Sequence, residues 1–153
     1  MPRFRYSSIL PAGLQTVYDF HSDTNNLALA QPWWAPVSKI IQDGPHQVGS
    51  KIEIHTGGPV KQRWLVRITE MVPPAKDAQK AWTIDEAEEG PFPVWKHQHL
   101  FETEKSGTKL SDCIQFQPPL GWFGWLLLPG IYLTFYLMFR ARHQRTYSHF
   151  SSS

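Results

Sequence analysis

The sequence predicts one α+β domain: a seven-stranded antiparallel sheet with two short helices after the first strand and a long helix at the C-terminus. Three observations lead there. The chain has 153 residues, 41% of them hydrophobic, which is enough for one sizeable core and short for two. Between Val37 and Pro118, short runs of β character recur between Gly and Pro turns, the pattern of an antiparallel sheet. Beyond Trp122 the chain is helical in length and composition.

The elements follow in order. Over Arg3 to Leu10, Phe4, Tyr6, Ser8 and Leu10 alternate with Arg3, Arg5, Ser7 and Ile9, which predicts a strand closed by Pro11. Ala12 to His21 carries Leu14, Val17, Tyr18 and His21 at helical spacing. Asp23 and Asn25 offer caps for a second short helix over Asn26 to Gln31. Pro32, Trp33, Trp34 and Pro36 then make a connection that no helix accommodates. Strands are expected at Val37–Gln42, Ser50–Thr56, Val60–Val72 and Lys80–Glu86. In the third of these, Gln62, Trp64, Val66 and Ile68 share one face, while Lys61, Arg63 and Arg67 share a solvated one. Glu86, Glu88 and Glu89 read as an exposed acidic loop. Phe92–Thr103 and Lys109–Gln117 form a final hairpin about Ser106-Gly107. Trp122–Phe150 is the long helix, which Pro129 starts, kinks or interrupts, and Ser151–Ser153 is a frayed tail.

Composition narrows the function. Fifteen Lys+Arg against 13 Asp+Glu give a net charge of +2, too little for a phosphate-neutralising surface, so no nucleic-acid partner is expected. The single cysteine, Cys113, excludes an intrachain disulfide and any multi-cysteine metal site, and it favours a reducing compartment. The N-terminus lacks an apolar core of signal-peptide length, which points to the cytoplasm. No nucleotide-binding glycine fingerprint and no G-x-S-x-G nucleophile motif occurs. Leu120 to Phe139 stands apart, with 20 residues free of charge followed by Arg140, Arg142 and Arg145. Such a segment suits a deeply buried helix, an apolar patch for a homodimer, or peripheral membrane contact. A spanning helix is disfavoured because it would strip the sheet of its cover.

Gly90-Pro91-Phe92-Pro93-Val94-Trp95-Lys96-His97-Gln98-His99-Leu100-Phe101 is similar to the G-P-F-x-x-W-x-H-x-H-x-F stretch of one bacterial branch of the START-like, Bet v 1-like, polyketide cyclase/dehydrase (SRPBCC) superfamily. Asp112, Ile114, Phe116 and Pro118 resemble the D-x-V-x-Y-x-x-P strand that follows it there, and Phe139-Arg140 falls where that branch ends its helix. The resemblance spans nearly the whole chain, as one domain over residues 1–150. It implies a helix-grip fold, in which a curved sheet wraps the long helix around an internal cavity. The superfamily holds lipid carriers, receptors and cyclases on one scaffold, so the fold alone does not select a chemistry.

Trp95, His97, His99 and Phe101 alternate along one strand and project from one face. With Lys105 paired to Thr108, His99 falls opposite Ile114, His97 opposite Phe116 and Phe101 opposite Asp112, which leaves Asp112 diagonal to His99. If that face lines the cavity, His97, His99 and Asp112 are the candidate catalytic groups, since a buried imidazole beside a carboxylate is the raw material of a general base. Cys113, one residue off, points away. An H-x-H pair with one Asp offers only three ligands and is common without an ion, so neither a metal nor a cofactor is expected. The candidate ligand-binding residues are Trp33, Trp34, Gln62, Trp64, Trp95, Phe101, Phe116, Trp125 and Tyr132. Flat rings with a few polar groups suit a small apolar or lipid-like molecule, although rings in this number also simply fill a core. The resemblance puts Trp33, Trp34 and the Gly57-Gly58-Pro59 turn at the mouth. The leading expectation is a binding module; an enzyme of the cyclase/dehydratase kind and a membrane-docking or assembly factor are the alternatives.

Overall fold

A computed structural model describes residues 1–152. The order is β1 (Arg3–Leu10), α1 (Leu14–His21), α2 (Asn26–Ala30), β2 (Val37–Gln42), β3 (Lys51–Thr56), β4 (Gln62–Val72), β5 (Lys80–Glu89), β6 (Val94–Glu104), β7 (Gly107–Gln117), α3 (Trp122–Leu126) and α4 (Leu128–Ser151). The seven strands form one antiparallel sheet in the order β1-β7-β6-β5-β4-β3-β2. β1 therefore closes on the last strand, and α1 and α2 carry the chain to the far edge. This is the helix-grip architecture.

Strand alternation decides the inner face. Phe4, Tyr6, Ser8 and Leu10 of β1 pair with Ile114, Asp112, Leu110 and Thr108 of β7, and all eight look toward α4 or α1. Three apolar clusters result. Leu10, Val17, Tyr18, Phe101, Leu110 and Phe150 seal one end; Ile114, Phe116, Phe135 and Phe139 seal the other; Ile52, Val66 and Ile68 line the sheet between β3 and β4.

Two β-bulges between β4 and β5 adjust this alternation. Strict period two after Ile68 would turn Glu70 inward. The bulge before Glu70 instead puts Met71 against the core, and Glu70 accepts a hydrogen bond from Trp82 Nε1 at 2.7 Å on the outside. The second bulge, opposite Leu65 and Val66, keeps Ala87 inside and Glu88 and Glu89 outside. The expected acidic loop is thus the end of a strand, and Arg63 and Arg67 are paired rather than merely solvated. Glu88 contacts Lys51 at 2.8 Å and also pairs with Arg67, while Arg63 pairs with Glu89 and, at 3.0 Å, with Glu53.

The final hairpin turns at Lys105-Ser106, one residue earlier than expected, and pairs Glu104 with Gly107. Gly107 belongs to β7 because its backbone lies against Leu10: its φ is +147°, and a Cβ there would stand 2.0 Å from the Leu10 carbonyl oxygen. His99 consequently lies opposite Asp112, His97 opposite Ile114 and Phe101 opposite Leu110. The slip spans two residues, so every side chain keeps its face. Cys113 pairs with Arg5 and Gln98 on the outer face, as expected.

The C-terminal segment resolves the alternatives left open for it. It is two helices, and Pro129 sits in the first turn of α4, where its missing N–H costs nothing. A deeply buried helix is excluded, because Trp122, Phe123, Trp125, Leu126, Leu127, Leu133 and Leu137 are all exposed. No helix among the described residues is long and apolar enough to cross a membrane. α4 also runs through Ser151, past both Phe139-Arg140 and the expected start of the frayed tail; Ser153 lies outside the described residues.

Candidate functional site

α4 packs closely on β1 and α2 and stands off from β2 to β5, so the concave face between them is left open as a cavity of about 550 Å³. Its apolar wall comes from Ile52 and Ile54 of β3, Trp64, Val66 and Ile68 of β4, Phe92 and Trp95, and Phe135, Met138 and Phe139 of α4. Trp64 and Trp95 meet edge to face at 4.9 Å, and Trp95 meets Phe135 in the same way at 5.5 Å. Such contacts hold large rings in fixed orientations and keep the wall smooth.

The polar end is built on three adjacent strands and α4. Asp112 (β7) is 3% exposed and receives hydrogen bonds at both carboxylate oxygens: His97 Nε2 donates to Oδ1 at 2.8 Å, and His143 Nε2 donates to Oδ2 at 2.6 Å. A carboxylate can only accept, so both Nε2 atoms carry the proton. Ser8 then donates its hydroxyl proton to His143 Nδ1, 2.6 Å away. His99 Nδ1 lies 2.6 Å from Asp112 Oδ1 but outside hydrogen-bond alignment. On the next strand Asp85 Oδ2 is 3.9 Å from His97 Nδ1, too far for a direct hydrogen bond. His21, whose Nδ1 donates to the Val17 carbonyl at 2.8 Å, packs beside His99 with ring centroids 5.7 Å apart.

Burial sets the protonation of these groups. It alone would push the Asp112 carboxyl up, but the neighbouring His99 ring and the hydrogen bonds from His143 and His97 hold it well below the usual carboxylate range. Asp85 lacks such donors. Burial raises it to about 6, with His99 and Arg142 pulling the other way. His99 is held down by burial and by His97, and His21 falls to about 3, by burial and by His99. One end of the cavity thus holds an ionised carboxylate, a carboxyl poised near 6 and, in His99 and His21, imidazoles that burial shifts toward the neutral form.

Of the residues expected at the site, His97, His99, Asp112, Trp34, Gln62, Trp64 and Trp95 line the cavity. Five of the expected ligand contacts do not. Trp33 is 85% exposed, because α2 and the proline-flanked turn point it outward. Trp125 sits on the exposed face of α3. Tyr132 turns to β1, where its hydroxyl donates to the Arg3 carbonyl at 3.0 Å. Phe101 and Phe116 face inward, but α1 and the rings of Phe92 and Phe135 cover them completely. Gly57 and Pro59, expected with Trp34 at the mouth, line the cavity together with it, and Gly58 passes so close to Trp34 that a Cβ would stand 2.2 Å from its carbonyl oxygen. Sequence reasoning missed Asp85, His21, His143 and Arg142. Asp85 was legible as an inward residue two positions past Thr83 on β5; Arg142 and His143 fall inside the expected helix Trp122–Phe150, and only the packing of α4 on the sheet brings them to Asp112.

Fold and cavity together define a helix-grip protein built to enclose a ligand. The chain belongs to the family described as polyketide cyclase / dehydrase and lipid transport, whose model matches residues 10–139. Solved structures agree on the fold. TTHA0849 from Thermus thermophilus superposes with a TM-score of 0.76 at 16% identity, over 99% of this chain and 98% of that one. Protein CV1439 from Chromobacterium violaceum gives 0.73 at 16% identity, over 97% and 96%. Ara h 8.0201, of the Bet v 1-like type, gives 0.64 at 11% identity, over 99% of both chains. Among curated proteins, none matches the chain in sequence.

Proposed function

We propose that the protein binds one small, largely apolar, ring-bearing or lipid-like molecule in this cavity, with a polar group of the ligand directed at the His97–His99–Asp85 end. The observation that carries the reading is the cavity itself: about 550 Å³, walled by aliphatic and aromatic side chains, with Asp85, His97, His99, Asp112 and His143 clustered at one end. That size and that polarity pattern fit a single small-molecule ligand. Trp64 and Trp95 supply the flat surface, and Gln62 supplies a polar contact nearer the mouth.

The test is native mass spectrometry of protein purified without detergent, with organic extraction of any adduct, followed by titration of the extracted compound against tryptophan fluorescence. One molecule per chain is expected. Val66→Trp, which fills the space beside Trp64, should abolish binding while the protein still melts cooperatively. Binding that survives this substitution places the ligand elsewhere and refutes the reading.

The hydrogen-bonded Asp112 supports a second reading, an enzyme of the cyclase/dehydratase kind. Asp112 orients His97, and His97 or His99 moves a proton on the bound molecule. His97→Gln and His99→Gln would then remove turnover and leave ligand affinity within a few-fold of the parent.

A further inference from the structure

The polar end of the cavity contains a second carboxylate, and it alters what the histidines can do. A ring nitrogen of His97, a ring nitrogen of His99 and a carboxylate oxygen of Asp85 lie within 4.8 Å of one another. From this geometry we infer that His97, His99 and Asp85 form a binding site for one divalent transition-metal ion, with zinc as the reference ion, opening onto the apolar cavity.

Four features support it. The first is the tautomer of His97. Its Nε2 proton is committed to Asp112 at 2.8 Å, so the neutral ring presents its lone pair at Nδ1, the atom on the Asp85 side at 3.9 Å. The second is the outer partner. A histidine that ligates a metal with one nitrogen while donating its other N–H to a buried carboxylate is the usual way of fixing such a ligand. Here Asp112 is itself held by His143, and His143 by Ser8. The third is reach. Ligand atoms about 2.1 Å from a tetrahedral zinc sit roughly 3.4 Å apart, so the three groups need to close by at most about 1.4 Å, within side-chain rotation. The fourth is charge. Asp85 and Asp112 face a single guanidinium, Arg142, across the same end of the cavity, so a cation there meets a net negative field.

Two imidazoles and one carboxylate are a donor set of intermediate hardness that suits zinc or iron(II) and leaves coordination positions open. Those positions face the cavity, where a water molecule or an oxygen of a bound molecule could complete the shell. The site does not depend on what fills the apolar part of the cavity, and the ion alone can probe it.

Metal-stripped protein is titrated with Zn²⁺ and, separately, with Co²⁺ at about pH 7.5 in a non-coordinating buffer, above the range in which free imidazoles are protonated. The expected result is saturation at one ion per chain, d–d absorption from Co²⁺, and displacement of the His97 and His99 ring ¹⁵N resonances. Asp85→Asn and His99→Gln should each weaken binding by more than tenfold. Asp112→Asn, which replaces the outer partner of His97 and leaves the three ligand side chains in place, should weaken it by roughly 10–100-fold. His55→Gln is the control, because His55 and Glu53 form a surface pair at 2.6 Å on the opposite face, and its affinity should match the parent. Absence of stoichiometric binding overturns the inference, as does binding that is lost in His55→Gln or untouched by Asp85→Asn. Should the cavity variants fail to fold, the ¹⁵N measurement on the unsubstituted chain decides alone: His97 and His99 resonances that stay in place on saturation overturn it.

Discussion

Asp112 concentrates more interactions than any other polar side chain at the site. It is buried, ionised and hydrogen-bonded by histidines from two different elements, β6 and α4, so it ties the helix to the sheet. Replacing it by Asn puts an NH₂ group where one histidine N–H now donates, leaving two donors face to face. Asp112→Asn should cost about 3–5 kcal/mol, the range for breaking a buried charge network, measured by urea denaturation. His21 makes a separate prediction. Its folded-state pKa of about 3 lies below the unfolded value of 6.5, so neutral His21 contributes stability that is fully present above pH 6.5 and is lost as pH falls toward 3. His99 and His46 are depressed in the same direction, whereas Asp85, raised to about 6, works in the opposite sense and is most favourable to folding at low pH. The melting temperature of metal-free protein should therefore fall between about pH 7 and about pH 5. His21→Leu loses the hydrogen bond to Val17, worth about 1 kcal/mol, and should melt lower than the parent at about pH 7.5. It should close that gap by about pH 5, and a gap that stays constant would show that His21 does not carry the effect.

At the scale of elements, the β3–β4 turn and the α2–β2 connection together line one side of the cavity. Gly58 has φ +91°, a conformation costly for any residue with a Cβ, and it also abuts the Trp34 carbonyl. Gly58→Ala should lower stability by at least about 1–2 kcal/mol and push Trp34 off the cavity rim. Thermal melting reads the first effect and ligand affinity the second. The bulges in β4 and β5 do the complementary work inside the sheet. By shifting parity once on each strand they keep Met71 and Ala87 against the core and send Glu70, Glu88 and Glu89 outward to Trp82, Lys51 and the arginines. Those exposed pairs are each worth at most about 1 kcal/mol, so the sheet is held by its inner face.

The molecule as a whole is unevenly covered. α4 buries one face against β1, β6 and β7, while α3 and the residues flanking it present Leu120, Trp122, Phe123, Trp125, Leu126 and Leu127 to solvent. An apolar surface of this kind is unusual on a monomer. If copies of the chain meet through it, replacing Leu126 and Leu127 by Gln shifts sedimentation toward the monomer; sedimentation unchanged from the parent rules that out. Neither residue lines the cavity or belongs to a core cluster, so folding stability should change by no more than about 0.5 kcal/mol and ligand affinity should hold. A large loss of stability would mean that this surface is part of the core of a larger assembly.

The order of elements, the inward face of the strands that carry the site and the approach of the β6 histidines to Asp112 were all legible in the sequence. Period two in strands and Gly/Pro punctuation are local properties, and a register error of two residues leaves the faces intact. The tertiary structure decided the rest. Whether Trp33, Trp125 or Tyr132 reaches the cavity depends on how the connections and α3 are turned. Phe101 and Phe116 point inward as expected, yet they are roofed by residues far away in sequence. The register itself was settled by Gly107 meeting Leu10, a contact between the last strand and the first. Asp85 and His143 joined the site for the same reason: each lies on an element whose own pattern says only which way it faces, and the distance between facing elements is a property of the packed chain.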